Sequence, residues 1–165
     1  MASNAHSRQP IRAELASKLS AVLTGTGKPV AALYGYRVFD FQGQSPVVVI
    51  APAGVSRFQA AMTTASRQVN FDFDVFVFVV ASDAAHSVDE EDSDDTIDAI
   101  EKVVADCVQD NIQNLTPYTT GGGWHLLYTR GPSIDDSIVV PVAGNVGGVA
   151  YKRCIIPLTV ELLDA

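Results

Sequence analysis

Three histidines, two cysteines and a dense run of carboxylates are the side chains with which this chain would have to do chemistry. His6 stands near the N-terminus, His86 in the acidic run and His125 in an apolar stretch. A catalytic zinc needs imidazoles or carboxylates converging at fixed spacing, and neither H-x-x-x-H nor H-E-x-x-H occurs. His86 with Asp83, Asp89 and Glu90 has donors for a divalent cation, but the run lacks the glycine and ordered ligand positions of a calcium loop. A solvated acidic loop is the simpler reading. Cys107 and Cys154 lie in apolar patterns without an adjacent His. They read as two buried free thiols, the form kept in a reducing cytoplasm.

The glycine motifs are incomplete. Gly25-Thr26-Gly27-Lys28 has the closing Gly-Lys of a phosphate loop. Val22 stands where its first glycine belongs, Pro29 replaces the required hydroxyl, and the segment follows a helical pattern instead of a strand. It reads as a helix stop and turn. Gly121-Gly122-Gly123 precedes a strand, not a helix, and reads as a hinge instead of a dinucleotide site. Ser56 lacks the second glycine of a nucleophile elbow. Asp72 and Asp74, two residues apart on one strand face, are two carboxylates with the placement of a catalytic pair. Without a cleft-forming motif they read as a solvated strand edge. No convergent polar set emerges, so the sequence predicts a protein that is not an enzyme, with no cofactor and no metal.

The element that positions these aspartates is the stretch Val69–Ala81, VNFDFDVFVFVVA. Val69, Phe71, Phe73, Val75, Val77 and Val79 alternate without a break, the period-two signature of a strand with one apolar face. On the opposite face Asn70, Asp72 and Asp74 give way to Phe76, Phe78 and Val80. Such a strand, about 40 Å long, starts half-solvated and ends needing cover on both sides.

Around it, residues 1–9 read as a flexible arm and 10–165 as a single domain. Pro10 suits a helix start, and Ile11, Leu15, Leu19, Val22 and Leu23 share a helical face over 10–23. Val30 to Phe39 is β-biased with a break at Gly35. Val47 to Ala51 is a short strand ended by Pro52. Residues 53–66 and 133–149 read as long mobile loops suited to partner contacts, the second with a weak hairpin around Ile138–Val142. Ile97, Ile100, Val103, Val104, Cys107, Val108 and Ile112 form the apolar stripe of a second helix over 95–114, with Ser93 or Asp94 as N-cap. Trp124 to Thr129 is a strand. Cys154 to Leu162 is the last strand, with Pro157 arguing for an edge position or a bulge. The order α-β-β-β-α-β-β, without βαβ alternation, predicts an α+β fold: a mostly antiparallel sheet of about five strands with two helices packed on it.

The formal net charge is −8, with only 11 Lys and Arg scattered among 165 residues. That excludes a general grip on phosphates, although an acidic wall lets DNA slide past without sticking. No segment is apolar for the roughly 18 residues a membrane helix needs, and the polar N-terminus is not a secretory signal.

The sequence of these elements, over roughly residues 10–163, resembles the tail terminator (tail completion) proteins of long-tailed bacteriophages. The likeness rests on the N-terminal amphipathic helix and Pro46-Val47-Val48-Val49-Ile50. It continues in the long strand Phe71 to Val79, a helix such as Thr96 to Val104, and Ile155-Ile156-Pro157-Leu158-Thr159-Val160-Glu161. The resemblance implies a virion assembly protein, made in the host cytoplasm. It would form a ring, typically a hexamer, that caps the tail tube, stops its polymerisation and joins it to the head-side connector. DNA would pass through without specific binding. Phe76, Phe78 and Val80 would then meet a neighbouring subunit, unless residues 133–149 cover them, and Asp72 and Asp74 would face the lumen. Other neck proteins that join head and tail share this outline. A small-molecule-binding or hydrolytic α+β domain is the alternative of a different class.

Overall fold

In the computed structural model, residues 8–38, 40–59, 67–81, 90–113, 116–117, 123–142 and 145–163 are described. Two long strands set the frame. β3 (Arg67–Val80) and β7 (Asn145–Leu163) run antiparallel, in register from Gln68↔Leu163 to Val80↔Tyr151. On the far side of β3 lies β2 (Val47–Gln59), also antiparallel. β1 (Ala32–Tyr34) adds to β2 in parallel, but only along Val47–Val49. On the other side of β7, β5 (Gly123–Tyr128) pairs with Leu158–Leu162 and carries the two-residue β4 (Thr116–Pro117). β6 (Ser133–Val142) pairs with the first part of β7. The result is one seven-stranded, mostly antiparallel sheet with α1 (Arg8–Leu23) and α2 (Glu90–Gln113) packed on it, an α+β fold.

The alternation along β3 places Val69, Phe71, Phe73, Val75, Val77 and Val79 against the helices, all buried. They meet Ile11, Leu15, Leu19 and Leu23, one row at i, i+4 spacing, and Ile97, Ile100, Val104, Cys107 and Val108. Val22 is exposed, off the buried row. Both cysteines are buried free thiols. Gly25-Thr26-Gly27-Lys28 makes the expected helix end. Gly25 and Gly27 take positive φ, and Lys28 caps α1 through the Ala21 carbonyl.

Several expectations require correction. The stretch 53–59 is strand, not loop. Pro52 does not end β2; its partner is Phe73, and a bulge follows before Gly54. A strand tolerates proline where its neighbour has stopped, and β1 has stopped three residues earlier. Residues 60–66 lie outside the described residues. The excursion 133–149 is a hairpin of β6 and β7, with only 143–144 outside the described residues. β1 ends before Gly35, which passes so close to α1 that a Cβ there would come within 3.2 Å of Ala16. Both helices begin earlier than expected, at Arg8 and Glu90, so Ser93 and Asp94 lie inside α2 and do not cap it. The rest of the arm, 1–7, and 82–89 of the acidic run, including His86, are outside the described residues.

Pro157 is neither at a sheet edge nor at a bulge; β7 is an interior strand. The Pro157 carbonyl accepts from Thr129 N at 3.0 Å, so its missing N–H points the same way. That side is the seam where β6, paired up to Ile155, hands over to β5, paired from Leu158. The absent donor falls where no strand needs it.

Candidate interaction surface

The face of the sheet turned away from the helices has two halves. At the Val80 end, Phe76, Phe78 and Val80 join Phe41, Val47, Val49 and Tyr151 in a second apolar cluster. Among the described side chains its cover comes from β1 and the segment after it. The Phe41 ring lies 4.8 Å from that of Phe78 and 5.4 Å from that of Tyr151. The segment is tied down by Tyr34 Oη donating to Gln44 Oε1 and Tyr151 Oη to the Gln44 carbonyl, each 2.9 Å. Asp40 accepts from Gln42 N at 2.7 Å, and Gln42 and Gly43 turn the chain with positive φ. Burial, followed by the Asp40 charge, pushes the Tyr151 phenol above its ordinary pKa, so it stays a donor. The cover is partial. Phe76, Phe78 and Val80 remain half-buried, and a cleft of about 190 Å³ opens between Arg37, Val38, Phe41, Phe76, Phe78 and Arg153. The Arg153 guanidinium stands 5.3 Å from the centre of the Phe76 ring, a cation–π contact.

At the Arg67 end the same face turns polar. Asn70, Asp72 and Asp74 of β3 stand beside Thr159 and Glu161 of β7, with His125 of β5 opposite Glu161, all half-buried. β3 is central, so the aspartates are not on a strand edge. Asp72 is held in place: Thr159 Oγ1 donates to its Oδ1 at 2.7 Å, and Thr129 Oγ1 is 2.6 Å from Thr159 Oγ1. Gly54 lies alongside, where a Cβ would come within 3.3 Å of Asp72 Oδ2. Asp74 lies between Ala51 and Pro157 in register.

A cleft of about 730 Å³ lies beyond the Val80 end and is lined by Pro29, Pro46, Val79, Asp92, Asp95 and Thr96 among others. Its described lining offers carboxylates and hydroxyls and no His, Cys, Lys or Arg. Among the described residues no three His, Cys, Asp or Glu are grouped to hold a metal ion. The thiols are poor nucleophiles: burial raises Cys107, and burial with Glu101 and Asp98 pushes Cys154 up to about 11.

Three polar residues, Ser45, Ser93 and Asn111, act as substitute strands. Val80 lies past the start of β2, yet its N–H reaches Ser45 Oγ at 2.9 Å and its carbonyl accepts from Ser93 Oγ at 2.7 Å. Asn111, fully buried on α2, donates to the Trp124 carbonyl at 3.2 Å, and its Oδ1 accepts from Leu126 N. These are outward main-chain groups of β5, where β4 reaches only Gly123 and Trp124 and leaves Leu126 to Asn111. Trp124 Nε1 donates to Glu14 of α1 at 3.0 Å, so both helices are fastened to this strand. The signal for Asn111 was a lone polar residue interrupting the apolar stripe of α2.

No known family's sequence profile matches the chain, and no curated protein is similar to it. No described helix is long and apolar enough to cross a membrane.

Proposed function

We propose that this protein is a virion assembly protein that works as a ring: a bacteriophage tail terminator. In this reading it caps the tail tube, stops its growth and presents a docking surface to the head-side connector. The observation that carries the reading is the asymmetry of the sheet. Both helices lie on one face. The other passes from half-covered aromatic rings to a row of carboxylates of which Asp72 is fixed by Thr159, while the two clefts described above gather no nucleophile, base and electrophile among their described residues. Such a molecule is built to offer surfaces, and a ring of copies uses both halves: the apolar half toward a neighbour, Asp72 and Asp74 toward a passage through which DNA moves without sticking.

Electron microscopy of the purified protein, alone and mixed with tail tubes, tests it. The expected result is annuli of about six subunits, and tubes that stop growing when the protein is added. A strict monomer in both conditions, by light scattering as well, overturns the reading.

A further inference from the structure

The sheet has two long edges that no described strand pairs, one on each side. β2 is open from Ile50 to Gln59, beyond the last residue that β1 reaches. β6 is open along its whole outer side, and past Val80↔Tyr151 the hairpin of β6 and β7 continues as a two-stranded ribbon. A lone ribbon is marginal in water, and an unpaired edge is a template for another strand.

The two edges match. The bonds from Thr129 N to the Pro157 carbonyl and from Ala81 N to the Ala150 carbonyl fix the alternation across the sheet. By that alternation Val55 on β2 and Ile134 on β6 turn their main-chain groups outward. Their register partners are Phe71 and Cys154, both on the helix side, so the two side chains share that face. Both are exposed, Val55 at 43% and Ile134 at 51%, two of the four large exposed apolar residues among those described. In sequence, the open stretch of β2 has Arg57 as its one formal charge, and β6 has Asp135 and Asp136. Pro52 points its missing N–H outward, which blunts the edge there and leaves the part beyond the bulge free to pair.

We infer that β6 of one copy pairs edge to edge with the 54–59 stretch of β2 of the next, a head-to-tail contact between copies of this chain. One edge lies toward the Val80 end of the sheet and the other toward the Arg67 end, so successive copies are staggered. Contacts of this kind close into rings or run on as filaments, according to the rotation per step. The inference rests on the ring reading for its partner, a second copy, and supplies the surface that joins the copies.

The test is a chain carrying both Val55→Cys and Ile134→Cys, treated with a short bismaleimide whose reach tolerates a register shift of a residue or two. The native thiols are buried and stay unreacted. The expected result is a ladder of covalent multimers from the double variant and none beyond a dimer from either single variant. Val55→Pro, which removes one outward N–H and leaves the pairing with β3 intact, is expected to lower the assembled fraction at least tenfold with unchanged circular dichroism. If Val55→Pro fails to fold, the cross-linking decides alone. An oligomer that gives no ladder overturns the edge pairing and leaves the ring reading standing, whereas a strict monomer of the unaltered protein overturns both.

Discussion

The two faces of the central sheet are built from the same strands by the same alternation, yet they have different fates. Phe73 and Phe78 differ by five positions on β3. Phe73 lies beneath both helices and is fully buried. Phe78 points the other way and is half-buried under a short segment anchored by Phe41 and Gln44. The first face is closed by elements with their own periodicity. The second is closed in part by a turn and left open where it becomes polar. A strand can therefore be apolar on both sides and be closed by different means, two helices on one and a short anchored segment on the other.

The largest effect that separates the faces is a cavity. Phe73→Ala is expected to cost about 4 kcal/mol, and Phe78→Ala less than half of that, in urea denaturation of the same preparation. Equal losses would mean that the second face is as much core as the first, and would break the contrast.

Next comes the polar fastening of the covered face. Asn111→Leu leaves the Leu126 N–H buried without its partner and takes one donor from the Trp124 carbonyl, at a cost of about 2 kcal/mol. Amide exchange at Leu126 should accelerate more than at residues of β3. Unchanged exchange would show that another group pairs β5.

On the open face, Asp72→Lys and Asp74→Lys sharpen the distinction between an aspartate that is held and one that is not. Loss of the Thr159 bond and crowding against Gly54 make Asp72→Lys the costlier of the two, by about 1–2 kcal/mol, measured by thermal unfolding. If the row faces a passage for DNA, particles with Asp74→Lys eject their genome more slowly at low salt and regain the normal rate at high salt. Ejection unchanged at both salts would place the row outside the passage.

The smallest effect is a pH dependence confined to the covered face. The Cys154 thiol ionises at 9.0 in the unfolded chain and at about 11 in the folded one. Between those values the unfolded state releases a proton that the native state keeps. The contribution is therefore whole below pH 9 and is lost as pH rises toward 11. Cys154→Ala should flatten the fall of Tm over that window relative to the unaltered protein. Parallel curves would assign the alkaline loss to other groups.

Much of this was legible in the chain itself. Period two along Val69–Val79 and the i, i+4 row Ile11, Leu15, Leu19, Leu23 express backbone geometry. They fixed the central strand, the helices, their buried faces and the α+β class. The helix stop at Gly25 and the two buried thiols follow from equally local chemistry. What local pattern could not decide was pairing. Residues 53–59 and 133–142 lack strict alternation, and they become strands because β3 and β7 offer them ladders of hydrogen bonds. Pro52 and Pro157 look like strand stops, but a proline is harmless where its missing donor meets an unpaired edge or a seam, and only strand order reveals such places. Likewise Ser45, Ser93 and Asn111 acquire their roles from orphaned main-chain groups of strands distant in sequence. The half-cover of Phe78 by Phe41 depends on a turn folding back across the sheet. Local periodicity decides which face of an element is apolar. Which neighbour satisfies that face, and which edge is left without one, depends on contacts between residues far apart in the chain, and these exist only once it has folded.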